Sequence, residues 1–171
     1  MAFFYFDFSA EDEHTPAQVL SSLLKQLLLQ LEELPAPVKQ LFNRSISKGQ
    51  TPQVNELQEL LLSIPKEFNA VYLVIDALDE CKAGDHRSEI LKAFQAFQFS
   101  MKLLVTSRPH SDDLNEGLGH ALQVKLRAVE SDIRYYVRVK LETRKIKKIL
   151  GKDEKLKEEI VTSIVEGAQG M

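Results

Sequence analysis

The chain has 171 residues, 44% hydrophobic and 27% charged, which is enough for one domain, or one and a fraction, around a buried core. A formal net charge of −3 and a pI near 5.8 argue against a general nucleic-acid or anionic-membrane binder, since such proteins carry a basic field. The single cysteine, Cys81, excludes an internal disulfide and any cysteine-rich zinc site, and no run approaches the ~18 apolar residues of a membrane span.

Ala2 to Phe8 is dense in aromatics and reads as a strand. It is short, lacks a basic leading region and runs into acids, so no signal peptide is expected and a cytoplasmic location is. After a polar loop from Ser9 to His14, Thr15-Pro16 supplies a helix start, with Thr as cap and Pro at the first helical position. Val19, Leu20, Leu23, Leu24, Leu27, Leu28 and Leu31 then lie at helical spacing and predict a helix packed on a sheet. Pro35 and Pro37 break it, residues 38–47 make a second helix, and Val54 to Ile64 a third that ends near Pro65. A helical crossover of this length suits two parallel strands, which no tight turn can join.

Val71-Tyr72-Leu73-Val74-Ile75 predicts a strand buried on both faces, and it delivers an acidic cluster, Asp76-Ala77-Leu78-Asp79-Glu80. The carboxyl end of a strand is where open α/β sheets bind ligands. A helix from Arg87 to Phe99 follows. Next, Lys102-Leu103-Leu104-Val105-Thr106 forms another strand, with Ser107-Arg108-Pro109 at its end, where Pro109 takes the chain out of the sheet. Asp112 to Gly119 reads as loop or short helix, and Ala121 to Leu126 alternates weakly as a fourth strand.

Helical periodicity takes over from Glu130, with a break at Gly151 and a last helix from about Asp153. From Arg127 onward 11 Lys+Arg stand against 8 Asp+Glu, a mild surplus that solvated helix faces explain. The expected fold class is therefore α/β, a parallel sheet with flanking helices, followed by α-helices. The expected domains are a core over 1–127 and the start of a helical domain over 128–171.

The spacing hhhhDxxDE resembles the Walker B motif of P-loop NTPases. Phosphoryl transfer needs magnesium near the phosphates, a carboxylate that orients water, and a cation to meet developing charge. Asp76, Asp79, Glu80 and Arg108 are the candidates by residue type and placement at strand ends. The phosphate cradle G-x-x-x-x-G-K-[ST] does not occur in these 171 residues. Other chemistries fit less well. Two residues separate Asp76 from Asp79, unlike the D-x-D of haloacid-dehalogenase phosphatases. The histidines at 14, 86, 110 and 120 lack metal spacing and are expected at the surface, Cys81 follows two acids, and no G-x-S-x-G elbow is present.

Taken together, Phe3 to Phe8, the Leu20 to Leu31 helix, Tyr72 to Cys81 and Lys102 to Pro109 resemble the NACHT NTPase domain of the STAND class. They are most similar to the nephrocystin-like N-terminal NACHT modules of fungal proteins that carry ankyrin or other repeats. Asp132 to Val137 and Glu166 to Met171 also resemble segments that follow the core in that family.

The resemblance implies a nucleotide-controlled switch in signal transduction that uses Mg2+ and ATP or GTP. It makes Asp76 the magnesium ligand, Asp79 and Glu80 the catalytic acids, and Arg108 the sensor of the terminal phosphate. It also implies a P-loop NTPase-like sheet lacking the first strand and P-loop, in which strands 2–8, 71–76 and 102–107 lie side by side. The strand near Gln123 is then displaced or closes directly against 102–107.

The expected function is that of a fragment or truncated homologue of such a switch, with Walker B and sensor arginine but no Walker A, not a competent NTPase alone. The alternatives are a non-enzymatic interaction module or a phosphate loop supplied by an upstream segment. Protein partners or self-association are expected, and neither nucleic acid nor membrane.

Overall fold

The computed structural model describes residues 1–9, 14–108, 112–119, 121–126, 129–151 and 153–168. They divide into two compact units, Met1–Ala121 and Leu122–Met171. No described helix is long and apolar enough to cross a membrane.

In the first unit the elements follow as β1 (Ala2–Tyr5), α1 (Pro16–Leu28), α2 (Ala36–Lys48), α3 (Val54–Ser63), β2 (Tyr72–Asp76), α4 (Asp85–Phe97), β3 (Lys102–Val105) and α5 (Asp112–Gly117). The three strands form one parallel sheet in the order β1-β2-β3, with Tyr5 beside Asp76 and Ile75 beside Val105. The expected side-by-side arrangement is therefore present.

Local chemistry explains the principal boundaries. Thr15 caps α1 in a capping box with Gln18, and Pro16 opens the helix. Gly49 closes α2 in the left-handed conformation at φ 60°, which an L side chain adopts only with strain. Pro65 turns the end of α3 into a short 3-10 stretch, Ile64–Glu67.

Leu20, Leu23 and Leu27 of α1, Leu61 of α3, and Ile90, Phe94 and Phe97 of α4 pack on Leu73 and Ile75 in one fully buried core. Ala2, Phe4 and Phe6 join them on the same side of the sheet. On the opposite side, no described helix of the first unit packs against the strands. Phe3, Tyr5, Tyr72 and Leu104 are exposed there by 43%, 59%, 46% and 59%, with the Lys102 ammonium over the Tyr72 ring.

This corrects the expectation that 71–75 is buried on both faces. Both crossovers advance in one direction, β1 to β2 to β3, and right-handed crossovers advancing in one direction put their helices on one face. The apolar character of the strand therefore reflects one packed face and one bare face.

The two margins of the sheet also differ. The Gln26 side chain of α1 accepts from Phe3 N–H at 3.0 Å and donates to Phe3 O at 2.8 Å, and Gln30 donates to Met1 O at 2.9 Å. Side-chain amides on α1 and just past its end thus occupy the outward-facing backbone groups of Phe3 and the Met1 carbonyl. At the other margin, Lys102 and Thr106 N–H bond toward β2, so the groups of Leu103 and Val105 face outward, and no strand pairs with them among the described residues.

The expected fourth strand does not form. Residues 122–126 carry no regular secondary structure, Leu122, Val124 and Leu126 are exposed, and the sheet has three strands among the described residues. Weak alternation alone does not make a strand when no ladder partner is available.

In the second unit α6 (Glu130–Leu141), α7 (Arg144–Leu150) and α8 (Glu154–Ala168) share a small core of Val137, Leu141, Val161 and Val165. Glu158 accepts from both Arg134 and Arg138, and Glu142 accepts from Lys147 at 2.6 Å and Lys157 at 3.0 Å. These contacts hold the Glu142 carboxyl below its usual range, chiefly through the Lys147 hydrogen bond and then that of Lys157.

Candidate functional site

Asp76 is the last residue of β2 and Thr106 immediately follows β3, so parallel pairing sets them side by side at the carboxyl end of the sheet. The Thr106 hydroxyl donates to Asp76 Oδ1 and accepts from Ala77 N–H at 2.9 Å. Among the described residues, the second carboxylate oxygen of Asp76 accepts no hydrogen bond. Two backbone bonds continue the ladder past the strand ends, Thr106 N–H to Ile75 O at 2.9 Å and Leu78 N–H to Thr106 O at 3.0 Å.

Ala77 then takes the left-handed conformation, φ 53° and ψ 46°, the one non-glycine positive φ among the described residues. This conformation costs an L residue about 1–2 kcal/mol. It reverses the chain sharply enough to start the 3-10 turn Leu78–Glu80, whose Leu78 is fully buried and anchors the turn in the core.

That turn presents Asp79 and Glu80 to Arg108. Asp79 Oδ1 accepts from Arg108 N–H at 3.1 Å, and Asp79 Oδ2 lies 3.5 Å from its Nε. Glu80 Oε1 accepts from Arg108 Nη2 at 2.9 Å, while its other oxygen accepts from Phe8 N–H at 3.1 Å. Glu80 thus bridges the segments that follow β1 and β3. The Arg108 side chain is 74% exposed and Asp79 only 10%, so the acids are rooted and the guanidinium lies over them from solvent. Near the end of β1, Ser9 donates from its backbone and hydroxyl to Asp7, which holds that carboxyl below its usual range.

Of the residues singled out in the sequence, Asp79, Glu80 and Arg108 form one ion-paired group. Asp76 is joined to it through the backbone and through Thr106, not by an ion pair. Arg108, expected to face a phosphate, is engaged by the two acids.

Among the described residues, no three His, Cys, Asp or Glu side chains converge as a metal cage. Magnesium does not require one, because it takes one or two carboxylates and completes its shell with water and phosphate oxygens. The half-buried Asp76 carboxylate, oriented by Thr106, fits that donor chemistry.

Two residues escaped the sequence reading. Thr106 carried no signal beyond its place at a strand end. Arg87 is 7% exposed, in the first turn of α4, and donates to the carbonyls of Asp79 and Cys81, within and just after the acid turn. A cation at a helix N-terminus opposes the helix dipole, and that mismatch was the available signal.

The histidines also need correction. His14 is buried edge-on against Phe4 and Phe6, and its Nδ1 has no hydrogen-bond partner among the described residues. It is held by aromatic packing, which a search for metal spacing does not register. His86 is exposed as expected, while His110, His120 and Pro109 lie outside the described residues. Cys81 is buried.

Comparison with curated proteins and with solved structures gave no match. Among known families, the one described as nephrocystin 3, N-terminal, matches residues 1–108. That match takes in all three strands, the acidic turn and Arg108, and it covers more than half of the chain. The chain therefore belongs to the nephrocystin 3 N-terminal family.

Proposed function

We propose that this chain carries the acidic and arginine half of a NACHT-type nucleotide switch in signal transduction. The observation that carries the reading is the meeting of Asp79, Glu80 and Arg108 beside Asp76 at the carboxyl ends of two adjacent parallel strands. In this reading Asp76 holds magnesium through water, and the ion supplies charge that neutralises the phosphates of ATP or GTP. Asp79 and Glu80 orient the attacking water, and Arg108 reads the terminal phosphate.

Arg108 is a charge-matched lid on the acids in the arrangement described. A phosphate competes with the two carboxylates for the same guanidinium, whose fork suits either anion. Exchange of that partner is the elementary switching event.

These 171 residues contain no G-x-x-x-x-G-K-[ST] pattern, and the amide cradle supplies most phosphate contacts in P-loop folds. We therefore expect the chain by itself to bind nucleotide weakly. Calorimetric titration with ATP and with GTP at saturating magnesium tests this. A micromolar dissociation constant corresponds to about 8 kcal/mol, and affinity at or beyond that level for the isolated chain overturns the expectation.

A second reading, a non-enzymatic interaction module, draws on the bare apolar sheet face bearing Phe3, Tyr5, Tyr72 and Leu104. Asp76→Asn separates the two. Protein binding that is indifferent to nucleotide and to this substitution favours the module over the switch.

A further inference from the structure

We infer that Arg87 is the positioning residue of the acid turn, a fixed bracket that keeps Asp79 and Glu80 in place while Arg108 is free to leave them. The functional meaning of the bracket rests on the switch reading above, but its geometry does not.

The two arginines grip the acid turn by different atoms. Arg108 holds the carboxylates, through Nη2 to Glu80 at 2.9 Å and Nε toward Asp79 at 3.5 Å. Arg87 holds the backbone, with Nε donating to Cys81 O at 2.9 Å and Nη2 donating to Asp79 O at 2.9 Å and to Cys81 O. Its Nη1 donates to the Asp113 carboxylate at 3.0 and 3.3 Å, which ties the turn to α5.

Burial distinguishes the two grips. The Arg87 side chain is 9% exposed and that of Arg108 is 74% exposed. A guanidinium taken out of water is retained only where its donors are satisfied, and breaking one partner of such a set leaves the rest uncompensated. Arg87 therefore stays when the surroundings change. Arg108 loses little on leaving, because water takes over its donors and exposed ion pairs contribute little.

The carbonyls that Arg87 holds belong to Asp79, the first acid, and to Cys81, the residue after the second. Holding both fixes the peptide planes between them, and with them the directions of the Asp79 and Glu80 side chains. The sequence cost is visible in the placement of a cation at the wrong end of α4.

The test reads two amides that report the carboxylates directly: Phe8 N–H, bonded to Glu80, and Arg108 N–H, bonded to Asp79. Their solvent exchange is measured by NMR on the full chain without nucleotide, with Leu23 and Leu24 of α1 as references for global opening. Arg87→Lys keeps the cation but cannot span two carbonyls and a carboxylate at once. It is expected to raise exchange at Phe8 and Arg108 by about tenfold or more while the references stay within about twofold. Arg108→Ala is expected to leave Phe8 within about twofold of wild type, because Glu80 stays in place.

Equal opening of Phe8 in the two variants overturns the division of roles. A uniform rise at all four amides in Arg87→Lys reduces Arg87 to a stabilising residue and overturns it as well. Should Arg87→Lys not fold, Asp113→Asn decides. It takes one charged partner from Arg87, so exchange at Phe8 and Arg108 should rise together while Leu23 and Leu24 stay within about twofold, and no rise at either amide, or a rise at one alone, overturns the bracket. None of these readouts involves nucleotide, so failure of the switch reading is registered separately by the ATP and GTP titrations.

Discussion

Replacing Thr106 by valine tests whether the joint between β2 and β3 holds the site together. The substitution keeps the shape and strand preference of the residue and removes only the hydroxyl. That hydroxyl donates to the Asp76 carboxylate and accepts from Ala77 N–H at 2.9 Å. A hydrogen bond to a charged group contributes about 1.5–3 kcal/mol and a neutral one about 1 kcal/mol. Thr106 is exposed and Asp76 half-buried, so water recovers part of both. The expected loss is then about 1.5 kcal/mol, which at a urea slope of about 2 kcal/mol/M lowers the unfolding midpoint by about 0.75 M.

Far-UV circular dichroism is the appropriate probe, since the chain has no tryptophan. Thr106→Ser retains the hydroxyl and should keep most of the stability. In a double-mutant cycle with Asp76→Asn, the coupling should be about 1 kcal/mol. A Thr106→Val shift below about 0.15 M, or an equal shift for serine, refutes the assignment of stability to this hydroxyl.

At Ala77 the left-handed backbone predicts an order of stability: Ala77→Gly is neutral or stabilising by up to about 1 kcal/mol, and Ala77→Val destabilises by about 1 kcal/mol or more. Urea midpoints that place glycine below alanine contradict the strain argument. In the second unit, the lowered Glu142 carboxyl contributes stability above the ordinary glutamate value of 4.5 and loses it as pH falls through its own lower midpoint. Lys157, raised above 10.5 chiefly by its hydrogen bond to Glu154 and then that to Glu142, contributes below 10.5 and loses its contribution as pH rises through its higher midpoint. Carbon-detected NMR titration should place the Glu142 midpoint below 4.5, and Lys147→Met should move it upward. No movement in that variant removes Lys147 as the principal cause.

The parts of the fold that rest on local chemistry were legible in the residues. Thr15 and Pro16 open α1 as their types require, and Gly49 closes α2. The acids emerge from a β-branched strand because parallel strands end in loops that carry polar groups. Features that depend on distant parts of the chain were not legible. Tyr72 and Val74 look as apolar as Leu73 and Ile75, so periodicity alone could not tell a strand covered on one face from a strand covered on two. The weak alternation at 121–126 had the side-chain pattern of a strand but no ladder partner. Arg108 could be placed at a strand end from the sequence. Its engagement by Asp79 and Glu80 depends on the reversal at Ala77, a residue whose type gives no hint of a positive φ.

The unequal margins of the sheet set its valency. A margin with unpaired backbone groups can accept one strand, whether from this polypeptide or another. With Gln26 and Gln30 occupying the β1 side, two copies meeting edge to edge exhaust their open margins on each other, and growth ends at a pair. Were the β1 side also open, each copy would offer two docking edges and stacking could propagate without limit. The side-chain amides of Gln26 and Gln30 therefore stand between closed pairing and an open-ended ribbon.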